Sequence, residues 1–136
     1  MIKISAQSWL TIGALLATIA TVGSLYFSEL LGLTPCDLCW YQRVFMYPLV
    51  PLLGIAAFND RPEIHTTAFT LTIPGAAIAA YHSTIQRLGG RAICTLDGGC
   101  TTIQYELFGL TIPNMAFLVF SSITMVVLAA RTSKCR

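Results

Sequence analysis

The chain carries little charge for its length. Only 10% of its 136 residues are Asp, Glu, Lys or Arg, whereas 55% are hydrophobic. Soluble domains carry charge on roughly a quarter of their residues, so this composition excludes an ordinary soluble protein and indicates a membrane protein. The few basic residues form no patch, and the net charge of +2 gives no support to a nucleic-acid partner.

The N-terminal segment also lacks the marks of a cleavable secretory signal. Residues 4–28 form an unbroken uncharged run that is longer than the apolar part of a signal peptide. No small-x-small cleavage pattern precedes Glu29. Because roughly 20 apolar residues cross a bilayer, the run predicts a first membrane-spanning helix.

Three more uncharged stretches follow, at 44–59, 66–86 and 107–130, and the short segments between them hold nearly all the remaining charge. Neither an internal repeat nor a soluble domain is left to place. We therefore predict an all-α membrane protein in which residues 1–136 form one domain, a bundle of four transmembrane helices. Prolines in the second and third spans are expected to bend those helices.

The distribution of basic residues favours a cytoplasmic location for both termini. In that orientation five basic residues lie inside, namely Lys3, Arg61, Arg131, Lys134 and Arg136. Three lie outside, namely Arg43, Arg87 and Arg91. The sequence thus predicts a multi-pass protein of the cell membrane whose first and third loops are extracytoplasmic.

In this topology the five cysteines are divided between the two sides of the membrane. Cys36 and Cys39 lie in the first loop, and Cys94 and Cys100 lie in the third. Odd-numbered loops of a tetraspan protein share one side, so both pairs are expected in the extracytoplasmic compartment, where disulfides persist. Cys135 falls on the other side and is expected to be a bystander thiol.

Three uses of the paired cysteines can be weighed from the residues alone. Static disulfides could tie loops to helices, or four thiolates could hold zinc. The five residues between Cys94 and Cys100 are, however, a wider spacing than zinc sites usually show. The third use, disulfide exchange between the pairs and with a partner protein, fits the surroundings best.

Those surroundings include a cation placed to act on a thiol. Arg43 follows Cys39 by four residues, one helical turn. If a helix begins near Cys39, its positive end and Arg43 act on the same sulfur, so we expect Cys39 to be the stabilised thiolate and Cys36 the exchanging thiol. The alternative interpretation of Arg43 is an anchor at the membrane interface with no role in catalysis.

The second cysteine pair lies in a loop that contains glycines at 98 and 99. These glycines would allow the third loop to move.

Four features together resemble a known family. They are "PCDLCWYQR" with Arg43 in register, "YHSTIQ" at the end of the third span, the pair Cys94 and Cys100, and "YELFGLTIPN" before the fourth span. The combination resembles the DsbB family of disulfide-generating membrane oxidoreductases, in its short Gram-positive form often called BdbC.

The resemblance implies an enzyme that reoxidises an extracytoplasmic thioredoxin-like thiol oxidase, similar to DsbA or BdbD. The electrons would pass to a membrane quinone, either menaquinone or ubiquinone. By the same resemblance, Cys94 forms the mixed disulfide with the partner and Cys100 exchanges with Cys36. Gram-negative members separate the second pair by a much longer segment, so the motion of the loop is not carried over.

The resemblance also implies a quinone site. Cys39 would lie next to the quinone, with Arg43 and His82 as the residues that bind it. From the residues alone, a hydrogen-bonded histidine at a helix end is the other interpretation of His82. The rival functions are a vitamin K epoxide reductase-like enzyme, in which the C-x-x-C motif comes late in the bundle, and a non-catalytic tetraspan protein stapled by disulfides or binding metal.

Overall fold

The computed structural model describes residues 5–59, 64–88, 100, 101 and 103–134. Within these ranges the chain is almost entirely helical. The helices are α1 (Ala6–Leu25), α2 (Asp37–Met46), α3 (Leu49–Asn59), α4 (Ile64–Leu88) and α5 (Ile112–Lys134). A π-helical turn, Tyr26–Leu30, extends α1, and a two-stranded hairpin of β1 (Glu106–Leu107) and β2 (Leu110–Thr111) precedes α5.

The core of the bundle forms where the long helices meet. Helix α1 packs against α3 and α5, and α4 packs against α5 and α2. Leu10, Leu53 and Phe120 are among its fully buried side chains. Small residues allow close approach: a Cβ atom on Gly75 would clash with the Phe120 ring, so α4 can pack against this aromatic side chain of α5 only because residue 75 has no Cβ atom.

Large apolar side chains also cover the outside of the bundle. Ile19, Phe58 and Met125, on three different helices, are more than half exposed. Two helices of the described part of the chain are long and apolar enough to cross a membrane, Ala6–Leu30 and Ile112–Ser133. They correspond to the first and fourth predicted spans. The four-span count and the orientation of the termini stay predictions.

The predicted second span differs from the structure at its start. The helix begins at Asp37, not at residue 44, because α2 and α3 together make up this segment. Tyr47 and Pro48 separate them, since proline has no N–H to continue the helical ladder. Beyond the break, Val50 N–H donates to Tyr47 O at 3.2 Å and Leu52 N–H to Pro48 O at 3.1 Å.

The predicted start of the fourth span, residue 107, is wrong. The backbone first forms the hairpin, in which Glu106 pairs with Thr111, and α5 begins at Ile112. Phe108 and Gly109 both have positive φ, 53° and 77°, as the tight turns that join antiparallel strands require. Apolar composition alone could not separate this short hairpin from the helix that follows it.

Candidate redox site

Cys36 caps the N-terminus of α2. Its backbone is extended, with ψ 169°, and its carbonyl accepts a hydrogen bond from Trp40 N–H at 3.1 Å. Helix α2 starts at Asp37, so its positive end lies at Cys36, and Cys39 lies inside the first turn. The expectation that a helix begins near Cys39 is therefore confirmed, with the first helical residue two positions before it.

The two sulfur atoms of the motif lie 3.1 Å apart. Both cysteines are free and half-buried. The hydrogen bond from the Cys39 thiol lowers the pKa of Cys36 to about 4; burial opposes this shift and His82 adds to it. This direction favours the thiolate on Cys36 with Cys39 as donor, whereas the sequence predicted it on Cys39. The backbone N–H of Cys39, in the first turn of the helix, also lowers the pKa of Cys36.

Cys100, from the third loop, lies directly beside this pair. Its Sγ atom, Cys36 Sγ and a ring nitrogen of His82 all lie within 4.8 Å of one another. Cys100 is fully buried and disulfide-bonded, and since Cys36 and Cys39 are free, neither is its partner. A sulfur in a disulfide is not a thiolate ligand, so this arrangement favours disulfide exchange over zinc binding. Cys94 and Cys135 lie outside the described residues.

A cavity of about 260 Å³ opens on the other side of the motif. Helices α1, α2 and α5 line it, and Cys39 contributes to its wall whereas Cys36 does not. Most of the lining is apolar, with Phe27, Met46 and Met115 among the side chains. Within the motif, Cys36 therefore reaches Cys100 while Cys39 faces the cavity.

Arg43 also lines this cavity. Its Nε–H donates to Ser24 Oγ at 2.9 Å and its Nη2–H to Ser24 O at 3.0 Å. Ser24 lies just before the π-helical turn, a departure from regular helix that often marks functional sites. The guanidinium carbon also lies 5.3 Å from the centre of the Trp40 ring. These contacts fix the charge at the cavity wall between α1 and α2.

Tyr47 is a cavity residue that sequence reasoning missed. Its hydroxyl oxygen is buried and has no hydrogen-bond partner in the part of the chain that the structure describes, and the side chain lines the cavity. Cys39, Arg43 and Tyr47 are spaced four residues apart, so they lie along one face of the helix. This four-residue spacing is the sequence signal that could have identified Tyr47.

His82 lies at the junction of the two cysteine sites and is absent from the wall of the larger cavity. It lines a smaller cavity together with Cys36, Cys39 and Gln86. Its Nε2 atom is 3.8 Å from Cys36 Sγ and 3.2 Å from Cys100 O. Gln42 Nε2 lies 3.3 Å from its Nδ1. The role of His82 in quinone binding stays a prediction.

Comparison with known proteins gives a consistent result. The family model described as disulfide bond formation protein DsbB matches residues 6–130. A probable disulfide formation protein C 2 of Bacillus cereus is 40% identical over 121 residues, covering 87% of this chain and 87% of that protein. The resemblance inferred from the cysteine motifs is thereby confirmed.

Relatives from two other organisms agree. Disulfide bond formation protein C of Bacillus subtilis is 41% identical over 108 residues, which cover 76% of this chain and 78% of the relative. A probable disulfide formation protein of Coxiella burnetii is 40% identical over 116 residues, covering 82% and 76%. No solved structure gives a significant match.

Proposed function

The chain belongs to the DsbB family of disulfide bond formation proteins, and on this premise we propose that it is a membrane thiol:quinone oxidoreductase that generates disulfides. Its substrate is a reduced thioredoxin-like thiol oxidase outside the cytoplasm, and its electron acceptor is a membrane quinone. The membership itself makes it a membrane thiol-disulfide oxidoreductase. The partner and the acceptor are the proposed part.

The proposal includes the topology. Four spans place both termini in the cytoplasm and the redox loops outside it. The two long apolar helices support the first and last of these spans. Helix α4 has 25 residues, about 37 Å at the helical rise per residue, which exceeds the roughly 30 Å thickness of the hydrocarbon core. Helices α2 and α3 would together form the remaining span.

The larger cavity fits a quinone ring. A volume of about 260 Å³ is near the lower end of ligand pockets, about 300 to 1,000 Å³, and suits a ring whose tail runs outward along apolar helices. A quinone carbonyl needs a donor, and the unpartnered Tyr47 hydroxyl and the Arg43 guanidinium are the polar groups that would hold it. When bound, the quinone supplies the two-electron oxidising power.

The cysteines pass electrons in two exchanges. A partner thiolate first attacks Cys94 in a Cys94–Cys100 disulfide, and resolution by the second partner thiol leaves both loop cysteines reduced. Cys100 then attacks Cys36 in the Cys36–Cys39 disulfide, so that the electron pair leaves on Cys39. Cys94 resolves the inter-pair disulfide, and Cys36 leaves as a thiolate.

The reduced motif is then ready to be reoxidised. The sulfur atoms of Cys36 and Cys39 lie 3.1 Å apart, within hydrogen-bond distance, so a proton can pass between them. Movement of that proton to Cys36 would place the thiolate on Cys39, at the cavity wall and close to Arg43. A lipid-soluble oxidant can reach a dithiol only at the bilayer, which accounts for the position of this motif beside an apolar cavity.

The observation that carries the proposal is that the two cysteines of the motif have different neighbours. Cys36 lies against Cys100, and Cys39 faces the larger cavity. The test is oxidation of a reduced thioredoxin-like protein by the purified chain in detergent, with and without decylubiquinone or menadione. We expect quinone-dependent turnover that Cys39→Ser abolishes and Cys135→Ser leaves unchanged. Turnover without quinone, or none at all, would reject the proposal.

A further inference from the structure

Two buried polar side chains meet behind the cysteines. Gln42 on α2 is 6% exposed and His82 on α4 is 1% exposed. Buried polar groups are costly unless they are hydrogen-bonded, and these two bond to each other through Gln42 Nε2 and His82 Nδ1 at 3.3 Å. The contact joins the helix that carries the C-x-x-C motif to the helix that leads into the third loop.

The partners of His82 fix where its proton lies. An amide nitrogen only donates hydrogen bonds, so Nδ1 must accept the bond from Gln42. A carbonyl oxygen only accepts, so Nε2 must carry the hydrogen that bonds Cys100 O at 3.2 Å. Both contacts require the same neutral tautomer, with the proton on Nε2. The same N–H faces Cys36 Sγ at 3.8 Å.

We propose that Gln42 is a positioning residue that holds His82 in the Nε2–H tautomer, and that this N–H stabilises Cys36 as the leaving thiolate in the exchange between the two cysteine pairs. The inference rests on the proposed function and assigns a role in one of its steps. It gives His82 a task in thiol exchange, separate from the quinone contact that the family resemblance implies.

The step concerned is the resolution of a Cys36–Cys100 disulfide. The Cys94 thiolate attacks Cys100 Sγ, the Cys94–Cys100 bond forms, and the Cys36–Cys100 bond breaks. The electron pair leaves on Cys36 Sγ, and no proton is taken up or released. A leaving thiol of lower pKa departs faster, and His82 is one of the groups that lower the pKa of Cys36.

The tautomer can be read directly. The chain has two histidines, so ¹⁵N-histidine labelling in detergent gives two ring systems, and His65→Gln identifies the signals of His82. Long-range ¹H–¹⁵N spectra should show Nδ1 without a proton and Nε2 with one. In Gln42→Leu only the Cys100 carbonyl still favours Nε2–H, so the share of the Nδ1–H tautomer should rise. A proton on Nδ1 of the unmodified protein, alone or together with one on Nε2, would overturn the proposal.

The chemical consequence can be measured without quinone or partner. In a Cys39→Ser, Cys135→Ser background, the Cys36 thiol and the Cys94–Cys100 disulfide equilibrate with a Cys36–Cys100 disulfide and the Cys94 thiol. Acid quenching, alkylation and mass spectrometry give the ratio of the two forms. Gln42→Leu weakens stabilisation of the Cys36 thiolate. The ratio of the form with the Cys36–Cys100 disulfide to the form with the Cys94–Cys100 disulfide should therefore rise about fivefold.

A merely structural role for Gln42 predicts the opposite change, since loosened packing would separate Cys36 from Cys100 and reduce the inter-pair disulfide. The matched control is Thr72→Val, which alters another buried polar residue of α4 whose hydroxyl has no hydrogen-bond partner among the described residues; it should leave the ratio unchanged. An unchanged or smaller share in Gln42→Leu refutes the proposal. Neither readout uses quinone, so failure of the proposed function would be seen separately.

Discussion

At the residue scale, the chemistry depends on how the two cysteines of one motif differ. They are three residues apart and both half-buried, yet only Cys36 lies at the helix N-terminus and only Cys39 faces the larger cavity. In the proposed mechanism, one sulfur therefore exchanges with Cys100 and the other meets the quinone. The two cysteines of the C-x-x-C motif are one helical turn apart, and this separation gives them different surroundings.

The first prediction concerns the pH dependence of Cys36. Its pKa is lowered to about 4, chiefly by the Cys39 hydrogen bond, so the thiolate is present above that pH and is lost only below it. With the motif reduced, alkylation of Cys36 by iodoacetamide should vary little between about pH 5 and pH 8. Cys39→Ala removes the donor, so the pKa rises and alkylation should increase with pH across this range.

Cys39→Ser is the matched variant, because its hydroxyl can still donate to the Cys36 sulfur. It should keep much of the flat pH profile. A profile in Cys39→Ala as flat as that of the unmodified protein would show that Cys39 is not the principal cause of the lowered pKa.

A second residue-scale prediction concerns Arg43. Arg43→Ala should raise the apparent KM for quinone about tenfold, because a hydrogen bond to a charged group is worth about 1.5 to 3 kcal/mol. Arg43→Lys should recover part of the affinity, since it restores the charge without the planar group that bonds Ser24. Arg131→Ala, on the exposed end of α5, is the control. Unchanged quinone kinetics in Arg43→Ala would leave Arg43 as an interfacial anchor.

Tyr47 supplies the third prediction. Tyr47→Phe removes only the hydroxyl that lacks a partner among the described residues, so the fold should be retained while quinone binding weakens about three- to tenfold. Equilibrium binding of menadione to the purified protein measures the change. Tyr41→Phe, at a position 57% exposed, should bind as the unmodified protein does. Equal affinity in both variants would exclude the Tyr47 hydroxyl from the site.

At the element scale, helix spacing decides whether the cavity exists. Helix α5 supplies Phe120 both to the bundle core and to the cavity wall, and its ring lies against the glycine at position 75 of α4. The same contact sets the distance between these two helices. The π-helical turn and the Tyr47–Pro48 break shape the opposite side, where α1 meets α2.

The fourth prediction tests this helix contact. Gly75→Ala places a Cβ atom in a clash with the Phe120 ring, and overpacking of this kind costs about 1 to 3 kcal/mol. The Tm of the protein in detergent should fall accordingly. Gly54→Ala in α3 is the matched control, because a Cβ there meets nothing within 4 Å, and it should be neutral or slightly stabilising. Equal Tm values for the two variants would contradict the packing described here.

At the scale of the whole molecule, the bundle places the buried, disulfide-bonded Cys100 and an apolar cavity on either side of one dithiol. The proposed function needs membrane at the cavity and the extracytoplasmic compartment at the disulfide. The orientation in the membrane is thus part of the proposal, and it can be tested independently of activity.

The fifth prediction uses single-cysteine variants labelled in intact, reduced cells. A membrane-impermeant maleimide should react with Cys36 or Cys94 when each is the only cysteine, and with Cys135 only after the membrane is opened. Cys39 alone should label poorly until quinone is removed, because it faces the cavity. Labelling of Cys135 from outside would reject the orientation, and labelling of Cys39 as fast as Cys36 with quinone present would reject the assignment of the quinone-facing cysteine.

The sequence by itself determined the features that depend on local pattern. Low charge and four uncharged runs predicted a helical membrane protein, and the long helices α1 and α5 confirm the first and last runs as apolar helices. The spacing of Cys36, Cys39 and Arg43 indicated the redox motif, and together with the second cysteine pair and the segments around the third and fourth spans it identified the family. These features could be predicted because hydrophobic runs and helical spacing are properties of neighbouring residues.

Only the tertiary structure decided which groups meet. The contacts of Cys36 with His82, of Gln42 with His82 and of Arg43 with Ser24 join residues 46, 40 and 19 positions apart. Separations of this size leave no periodic signal in a single chain. The lowered pKa of Cys36 likewise depends on the folded geometry of the first turn of α2, which places the Cys39 thiol within hydrogen-bond distance of the Cys36 sulfur. The sequence supplied the candidate reacting groups, and helix packing set their distances, on which the proposed direction of electron flow depends.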